Sequence, residues 1–424
     1  NYLDLALHYA KAGLLEEAVE ILQACPEQSP MPSYYEGYLH GLAGDEAAAR
    51  ACCLRAEHLP APRCYPNRVE EIAILEYAIR LLGRAPRAHA LLGCLLYDKK
   101  QADAAIAHWE ASVQQDPGQA LVHRNLAIAR YNKQGDADAA LREMEQARRL
   151  DPGYPRLLLE YDQLAARLGR SNAARLQLLE ENLALVEQRD DLMLRYVTLL
   201  NCEGRCEEAL QILLTRRFHP WEGGEGKVSA QYRYALIRLA KDCLNRGEND
   251  RAVQLLEQSK TYPDTLGEGK LPNVPDNEAD YWQGVALRAM GRGPEAAAAF
   301  LRAASGPQEP GRVLYYNDQP SDFIYYQGLA QRAMGNEAAA RKAFHKLLTY
   351  GETHLFDAVA YDFFAVSLPE IEVFADDIAL RNRQYCNYLR ALGCAGLGRT
   401  SEAAELFAGI LELQPDDQGA LRHA

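Results

Sequence analysis

No stretch of these 424 residues stays apolar over the roughly 18 positions that a membrane-spanning helix needs, which excludes a spanning helix. A basic excess is missing as well. Lysine and arginine total 46 against 59 aspartates and glutamates, and the net charge of −13 argues against binding nucleic acid through its phosphates or docking on an anionic membrane. The ten cysteines form no framework. Cys52 and Cys53 are neighbours, Cys94, Cys243 and Cys394 fall inside helical patterns, and Cys202 and Cys206 have no second Cys or His pair at ligand spacing. Buried free thiols in a reducing compartment, the cytoplasm, are the expectation. Asn1-Tyr2-Leu3-Asp4 already follows a helical pattern with no charged start or apolar signal segment, and the expectation is a piece of a longer protein whose targeting signal, if any, lies upstream.

What is present is globular: 48% hydrophobic and 25% charged residues, with alanine clusters such as Ala296-Ala297-Ala298-Ala299 that favour helix. The chain is too long for one simple core unless it is an array that grows without a centre. A glycine followed five residues later by alanine recurs along it, as Gly13/Ala18, Gly44/Ala49, Gly169/Ala174, Gly204/Ala209, Gly247/Ala252, Gly291/Ala296, Gly335/Ala340 and Gly398/Ala403. A large apolar residue lies one turn beyond the alanine (Leu22, Leu213, Leu256, Phe300, Phe344, Phe407), and a small one precedes the glycine by seven (Gly37, Gly284, Gly328, Ala391). This spacing predicts a helical hairpin. Glycine ends the first helix in a left-handed cap, alanine lets the second helix approach, and the large residue fills the groove towards the next hairpin. One hairpin cannot bury its apolar face alone, so the hairpins must stack.

The pattern resembles the tetratricopeptide repeat, most clearly in Ala90-Leu91-Leu92-Gly93-Cys94-Leu95-Leu96-Tyr97 with Ala105, Trp109 and Asp116-Pro117. The resemblance implies an all-α, right-handed solenoid of about ten hairpins. Three stretches are expected: 1–56, N-terminal hairpins; 57–203, a regular array whose first unit is remodelled; and 204–424, an elaborated array. Gly-to-Gly steps of 34 and 35 residues (Gly135, Gly169, Gly204) give way to 43, 44 and 44 (Gly247, Gly291, Gly335) and then 63 (Gly398). The C-terminal half therefore carries enlarged loops, which in a solenoid lie on one face, often the binding face.

Two of these loops repeat the words Gly224-Glu225-Gly226-Lys227 and Gly267-Glu268-Gly269-Lys270, each lysine 23 residues past its hairpin glycine. They are not phosphate cradles. A P-loop needs Ser or Thr after the lysine and a strand before the loop, whereas Val228 and Leu271 follow here. They read as turns in which the glycines take positive φ, Glu225 and Glu268 cap the following helices, and Trp221 and Tyr262 wedge into seams. A ligand site using His219, Trp221, Glu222, Glu225 and Lys227 stays open beside that reading. Further aromatic and polar residues, Tyr315, Tyr316, Asn317, Asp318, Gln319, Phe356, Asp357, Tyr361 and Arg381, suit a peptide or a sugar. They equally suit plugs between lengthened hairpins. Carboxylates are plentiful, but nothing fixes their separation. No catalytic residue, metal site or cofactor is assigned.

Longer phrases carry a narrower resemblance: Arg68-Val69-Glu70-Glu71-Ile72-Ala73-Ile74-Leu75-Glu76, Arg217 to Lys227, Tyr315 to Pro320 and Tyr361 to Pro369. These are similar to the C-terminal tetratricopeptide region of large bacterial proteins whose N-terminal part is a β-rich domain of unknown function related to carbohydrate-active sandwich domains. The resemblance implies a non-catalytic scaffold for a protein or peptide partner, its own upstream domain included. The alternative is an accessory module that binds or processes an oligosaccharide. Nucleic acid and membrane are not expected as partners.

Overall fold

In a computed structural model the chain is described at residues 2–61, 64–219, 221, 223–315, 318–361 and 373–423, and the described residues are helices and connections with no strand. They divide into two compact units, 1–157 and 158–424. The first holds hairpins α1 (Tyr2–Lys11) with α2 (Leu15–Gln23), α3 (Pro30–Leu42) with α4 (Glu46–His58), a single helix α5 (Glu70–Leu82), then α6 (Pro86–Asp98) with α7 (Ala102–Gln115), and α8 (Ala120–Ala129) with α9 (Ala137–Leu150). Helix α10 (Pro155–Arg167) carries the division between the units and pairs with α11 (Asn172–Glu180), after which comes one turn, α12 (Leu183–Val186). Four further hairpins are α13 (Asp190–Cys202) with α14 (Cys206–Thr215), α15 (Lys227–Asn245) with α16 (Asn249–Gln258), α17 (Asn277–Ala289) with α18 (Gly293–Ala303), and α19 (Phe323–Ala333) with α20 (Glu337–His354). The last is α21 (Ile378–Gly396) with α22 (Thr400–Leu413), followed by a turn of helix, α23 (Gln418–Leu421). Among the described residues, ten hairpins, helix α5 and the single turns α12 and α23 make an all-α solenoid.

The repeat spacing becomes a contact. Each hairpin glycine that the sequence singled out as a turn is left-handed, for example Gly204 at φ 77° and Gly335 at φ 87°. The small residue of the first helix lies against the ring or thiol sixteen residues later. A Cβ on Gly93, Gly284 or Gly328 would come within 2.5, 2.6 and 2.4 Å of Trp109, Phe300 and Phe344, and one on Gly37 within 2.5 Å of Cys53 Sγ. Such distances leave no room for a methyl group, so glycine sets how closely the two helices approach. Alanines at the second helix's start are buried, as in Ala105, Ala209, Ala252 and Ala340. In hairpin α6/α7 the turn residue is Lys100, which takes φ 63° without being glycine.

Two positions depart from the sequence reading. Ala174 is exposed, although its neighbours in the pattern are buried, and Arg175 takes the buried place at 2% exposure. The turn after α10 is one residue longer than the others, with α11 starting three residues past Gly169, so the buried stripe moves by one. Helix α5 stands alone, held by Tyr35 donating to Glu71 Oε1 (2.9 Å) and by an edge-on contact of Tyr38 with Tyr77 at 5.7 Å. Buried Glu71 also accepts the backbone N–H groups of Asn67 (2.7 Å) and Arg68 (2.9 Å), which folds the approach to the helix. The Arg68–Glu76 phrase is thus structural in its acids.

The enlarged spacings fall mostly in one kind of place. Turns inside the hairpins stay short, while added residues join α14 to α15, α16 to α17, α18 to α19 and α20 to α21, and helices α15, α20 and α21 are themselves lengthened to 19, 18 and 19 residues.

Lys100→Gly should raise stability by about 0.5–1 kcal/mol, because a left-handed backbone is strained for a residue with Cβ. Gly328→Ala should lower it by about 1–3 kcal/mol through overpacking against Phe344. Urea unfolding followed by circular dichroism reads both, and a neutral Gly328→Ala would disprove the close-contact account.

Candidate functional site

The repeated Gly-Glu-Gly-Lys loops lie side by side, joined where Phe218 N–H donates to Thr265 O at 2.8 Å. Glu268 accepts from Gly226 N–H (2.7 Å) and Ser229 N–H (3.1 Å). Those amides are first-turn donors of α15 that have no partner within the helix. Glu268 therefore caps the helix of the preceding hairpin, not the one that follows it. Gly226, at φ 77°, aims the start of α15 at the next loop, which is why the cap comes from there. Glu225 caps nothing, and its Oε2 is buried without a hydrogen-bond partner among the described residues. Lys270 closes its own loop on Asp276 at 2.6 Å, and Lys227 begins α15. Positive φ belongs to Gly223, Gly226 and Gly267, not to Gly224 or Gly269. Gly224 is required instead by Trp221, whose ring a Cβ would meet at 2.1 Å. Trp221 and Tyr262 pack against the core of the second unit, as wedges in the seam. His219 is the exposed member, with its side chain 77% accessible and its Nδ1 3.0 Å from Asp190 Oδ2, while Arg216 holds Oδ1 of the same carboxylate.

The second set of candidates does converge. The Tyr315 and Tyr361 rings are 6.3 Å apart, and Arg381 Nη1 donates to Tyr361 Oη (3.1 Å) and Asp376 Oδ2 (3.0 Å). Asp318 folds its own turn by accepting from Leu314 N–H (2.8 Å) and Tyr315 N–H (3.0 Å). Asp357 is engaged by His354 at 2.8 Å and Arg312 at 2.6 Å, and those hydrogen bonds hold its carboxyl below the usual range. Phe356 beside it is 84% exposed. Glu222, Tyr316 and Asn317 lie outside the described residues, as does most of the Tyr361–Pro369 phrase. The described polar candidates mostly bond to the chain itself.

A different place gathers more chemistry, and sequence reasoning missed it. After α22 the chain turns back and residues 415–423 run along the first helices of the second unit's hairpins. Asn172 Nδ2 donates to Pro415 O (2.7 Å), and Asp416 meets Arg175 (2.9 Å) and Arg195 (3.5 Å). Those two arginines share the buried carboxylate of Asp162, at 2.8 and 2.7 Å. Gln418 and Gln231 exchange amide hydrogen bonds at 2.7 and 2.9 Å. Gly419 lies so close to the Tyr388 ring that a Cβ would sit at 3.0 Å.

The far end of the segment is an arginine cage. Arg422 Nη1 is 3.0 Å from Glu278 Oε2 and 3.7 Å from Asp322 Oδ2, with the guanidinium 5.1 Å over the Tyr234 ring. Tyr326 donates to Glu278 (2.7 Å) and Tyr388 to Asp322 (3.2 Å). The two acids diverge: burial raises both, but Arg422 and the Tyr326 hydroxyl leave Glu278 lowered, whereas Asp322 stays raised beside the negative Glu278. His423 stacks on Phe407 at 5.8 Å, and burial pushes its imidazole down to about 3. A cavity of about 150 Å³ opens next to Arg422, lined also by Arg233, Tyr234, Glu278, Asp322 and Tyr326. Of the sequence candidates among the described residues, only Gln319 lines it. Glu278, Asp322 and Arg422 come from three distant parts of the sequence, so no local motif announces them.

Residues 322–350, which hold α19 and most of α20, match the tetratricopeptide repeat family. Hairpins α6/α7 and α17/α18 repeat the glycine-to-ring contact of that hairpin. Among solved structures, the chain is similar to YrrB, described as a TPR protein with an unusual peptide-binding site, at 14% identity over 53% of this chain and 96% of that one, with a TM-score of 0.33. It is similar to a tetratricopeptide repeat protein from Parabacteroides merdae at 16% identity, over 72% of this chain and 100% of that one, with a TM-score of 0.30. MamA from Desulfovibrio magneticus matches at 19% identity over 44% and 92% of the two chains, with a TM-score of 0.26. With scores this low, the fold is defined by the helices described above. No described helix is long and apolar enough to cross a membrane, and all ten cysteines are free.

Asp162→Asn would leave Arg175 buried with a weakened partner and should destabilise the second unit by about 3–5 kcal/mol. Burial raises the Asp162 carboxyl, but Arg195 and Arg175 more than reverse that, so its folded value lies below the unfolded one. Its contribution is therefore complete above about pH 4 and is lost as pH falls through the lower folded value. Thermal melting from pH 6 down to pH 2 should show the wild-type advantage over Asp162→Asn shrinking only below about pH 4. An advantage that is constant with pH would overturn the assignment.

Proposed function

We propose that the chain is a non-catalytic binding scaffold that holds a protein or peptide partner along the first helices of its second unit. The observation that carries this reading is the 415–423 segment. Side chains of α11, α13, α15 and α17, with Asp322 just before α19, already receive a polypeptide there, through the arginines at Asp416, the Gln231 amide and the acids at Arg422. Stacked hairpins offer such extended surfaces in general. The partner can be a separate protein or another region of a longer polypeptide, since both present peptide backbone and side chains.

The sugar reading draws less support. A stacking platform needs accessible rings, and Trp221 is packed into the seam while Tyr315 and Tyr361 are half-buried. Among the described Trp, Tyr and Phe candidates, Phe356 alone offers an open face.

A displayed peptide library should be selected on two baits, the wild-type chain and Arg422→Ala. A shared consensus from either bait, lost when Tyr234→Ala is added, is the expected result. No consensus on both baits, or one indifferent to Tyr234→Ala, would sink the scaffold reading.

A further inference from the structure

The segment after α22 is attached to the second unit as a ligand is attached to a receptor. Its regular structure is the four-residue α23, and its Asp417 side chain caps that turn by accepting from Ala420 N–H at 2.7 Å. Most of its remaining contacts are polar and reach side chains of other hairpins. The largest apolar cluster of the unit, spanning Leu158 to Ala286, draws no residue from it, and the cluster around α21 draws only Ala420. Lifting the segment away would bare the rings under His423, which are Tyr325, Tyr326, Tyr388 and Phe407, but little aliphatic core beyond the place of Ala420. It would also uncover charge: two arginines that lose Asp416, and two carboxylates that lose Arg422. Arg175 and Arg195 keep Asp162, but Glu278 and Asp322 lose the Arg422 ion pair, and buried charges short of a partner favour refilling by a chain of the same chemistry.

We propose that residues Pro415–His423 are an internal ligand, displaced when a partner peptide inserts its own arginine between Glu278 and Asp322. This rests on the scaffold reading and adds to it the partner's chemistry and its regulation. The partner segment carries an acidic residue for Arg175 and Arg195, and an arginine six positions later for the cage, as Asp416 and Arg422 do. Between them it needs a small residue, because Tyr388 stands against Gly419. The cage selects arginine over lysine, since the guanidinium stands over the Tyr234 ring while its Nη1 faces both carboxylates. The cavity of about 150 Å³ beyond Arg422 leaves room for a side chain larger than the self segment supplies. Until such a peptide arrives, the self segment keeps the groove closed to weaker ligands. The competition is intramolecular, so the partner must overcome a high effective concentration.

Two measurements decide it. Hydrogen exchange followed by mass spectrometry on the wild-type chain should show amides 418–423 opening at least about tenfold faster than those of α15 and α17, without global unfolding. Exchange of the segment only together with those helices would make it core and overturn the proposal. A labelled synthetic peptide of residues 412–424 should then bind the Arg422→Ala chain about tenfold more tightly than wild type, and lose that binding when Glu278→Gln is added. If Arg422→Ala melts as wild type yet binds the peptide no better, the proposal is wrong. Should that variant fail to fold, the exchange experiment on the wild type still decides. The scaffold reading fails separately, as a library that yields no consensus while the segment still opens.

Discussion

Two helices joined by a three-residue turn can bury a ring between them only where one helix gives up its side chain. Gly93 against Trp109, Gly284 against Phe300 and Gly328 against Phe344 are that exchange made three times, with Cβ positions that would fall within 2.4 to 2.6 Å of the ring. Everything else in the array follows from the approach this permits. The first helix can lie on the second along its length, the alanine opposite is buried, and the far side of the ring becomes the surface on which the next hairpin packs. Arginine one turn beyond the glycine completes the arrangement in two hairpins, Arg288 over Phe300 at 5.2 Å and Arg332 over Phe344 at 4.9 Å. The rings are thereby covered on a side that a solenoid leaves near solvent.

Lengthening the repeat without disturbing that contact puts most added residues in the joint between hairpins, and the rest extend α15, α20 and α21. The second unit uses that joint repeatedly, and each added loop must satisfy the amides of the helix it leads into. The Glu268 cap on α15 shows how: the next loop supplies the acceptor, so neighbouring insertions hold each other in register. The loop after α18 is tied in the same manner by other elements. Gln327 donates to Ser305 O (2.9 Å) and Pro307 O (2.8 Å), and Tyr385 to Gly311 O (2.9 Å). Such loops are parts of the stack.

The hairpins were legible in the sequence because their signal is local and repeated. A glycine, an alanine five residues on and a ring four residues later specify one turn and one contact, and every copy adds to the recognition. The pairing of the two Gly-Glu-Gly-Lys loops was also legible, from their equal distance to the hairpin glycine. The direction of the Glu268 cap was not, because it depends on how Gly226 turns the chain in space. The buried place of Arg175 was hidden for a related reason: one extra residue after Gly169 rotates α11, and the count from glycine to alanine cannot register it. The arginine cage lay furthest from view. Its acids are ordinary carboxylates on a strongly acidic chain, and Arg422 sits in what looks like a terminal tail.

That tail bears on what the scaffold can hold. A groove lined by the ends of Arg175, Arg195, Glu278 and Asp322 is a poor surface to leave facing water partly filled, since each charge is held close to others of its sign or half-buried beneath the helices. The chain resolves this with a segment of opposite pattern, acid towards the arginines and arginine towards the acids, so every buried charge is matched without enlarging the apolar core. Matching by charge and by hydrogen bonds is directional and specific, whereas matching by apolar area is neither. A surface filled in this way distinguishes one peptide from another by where its charges fall, and the self segment sets the standard that any other occupant has to meet.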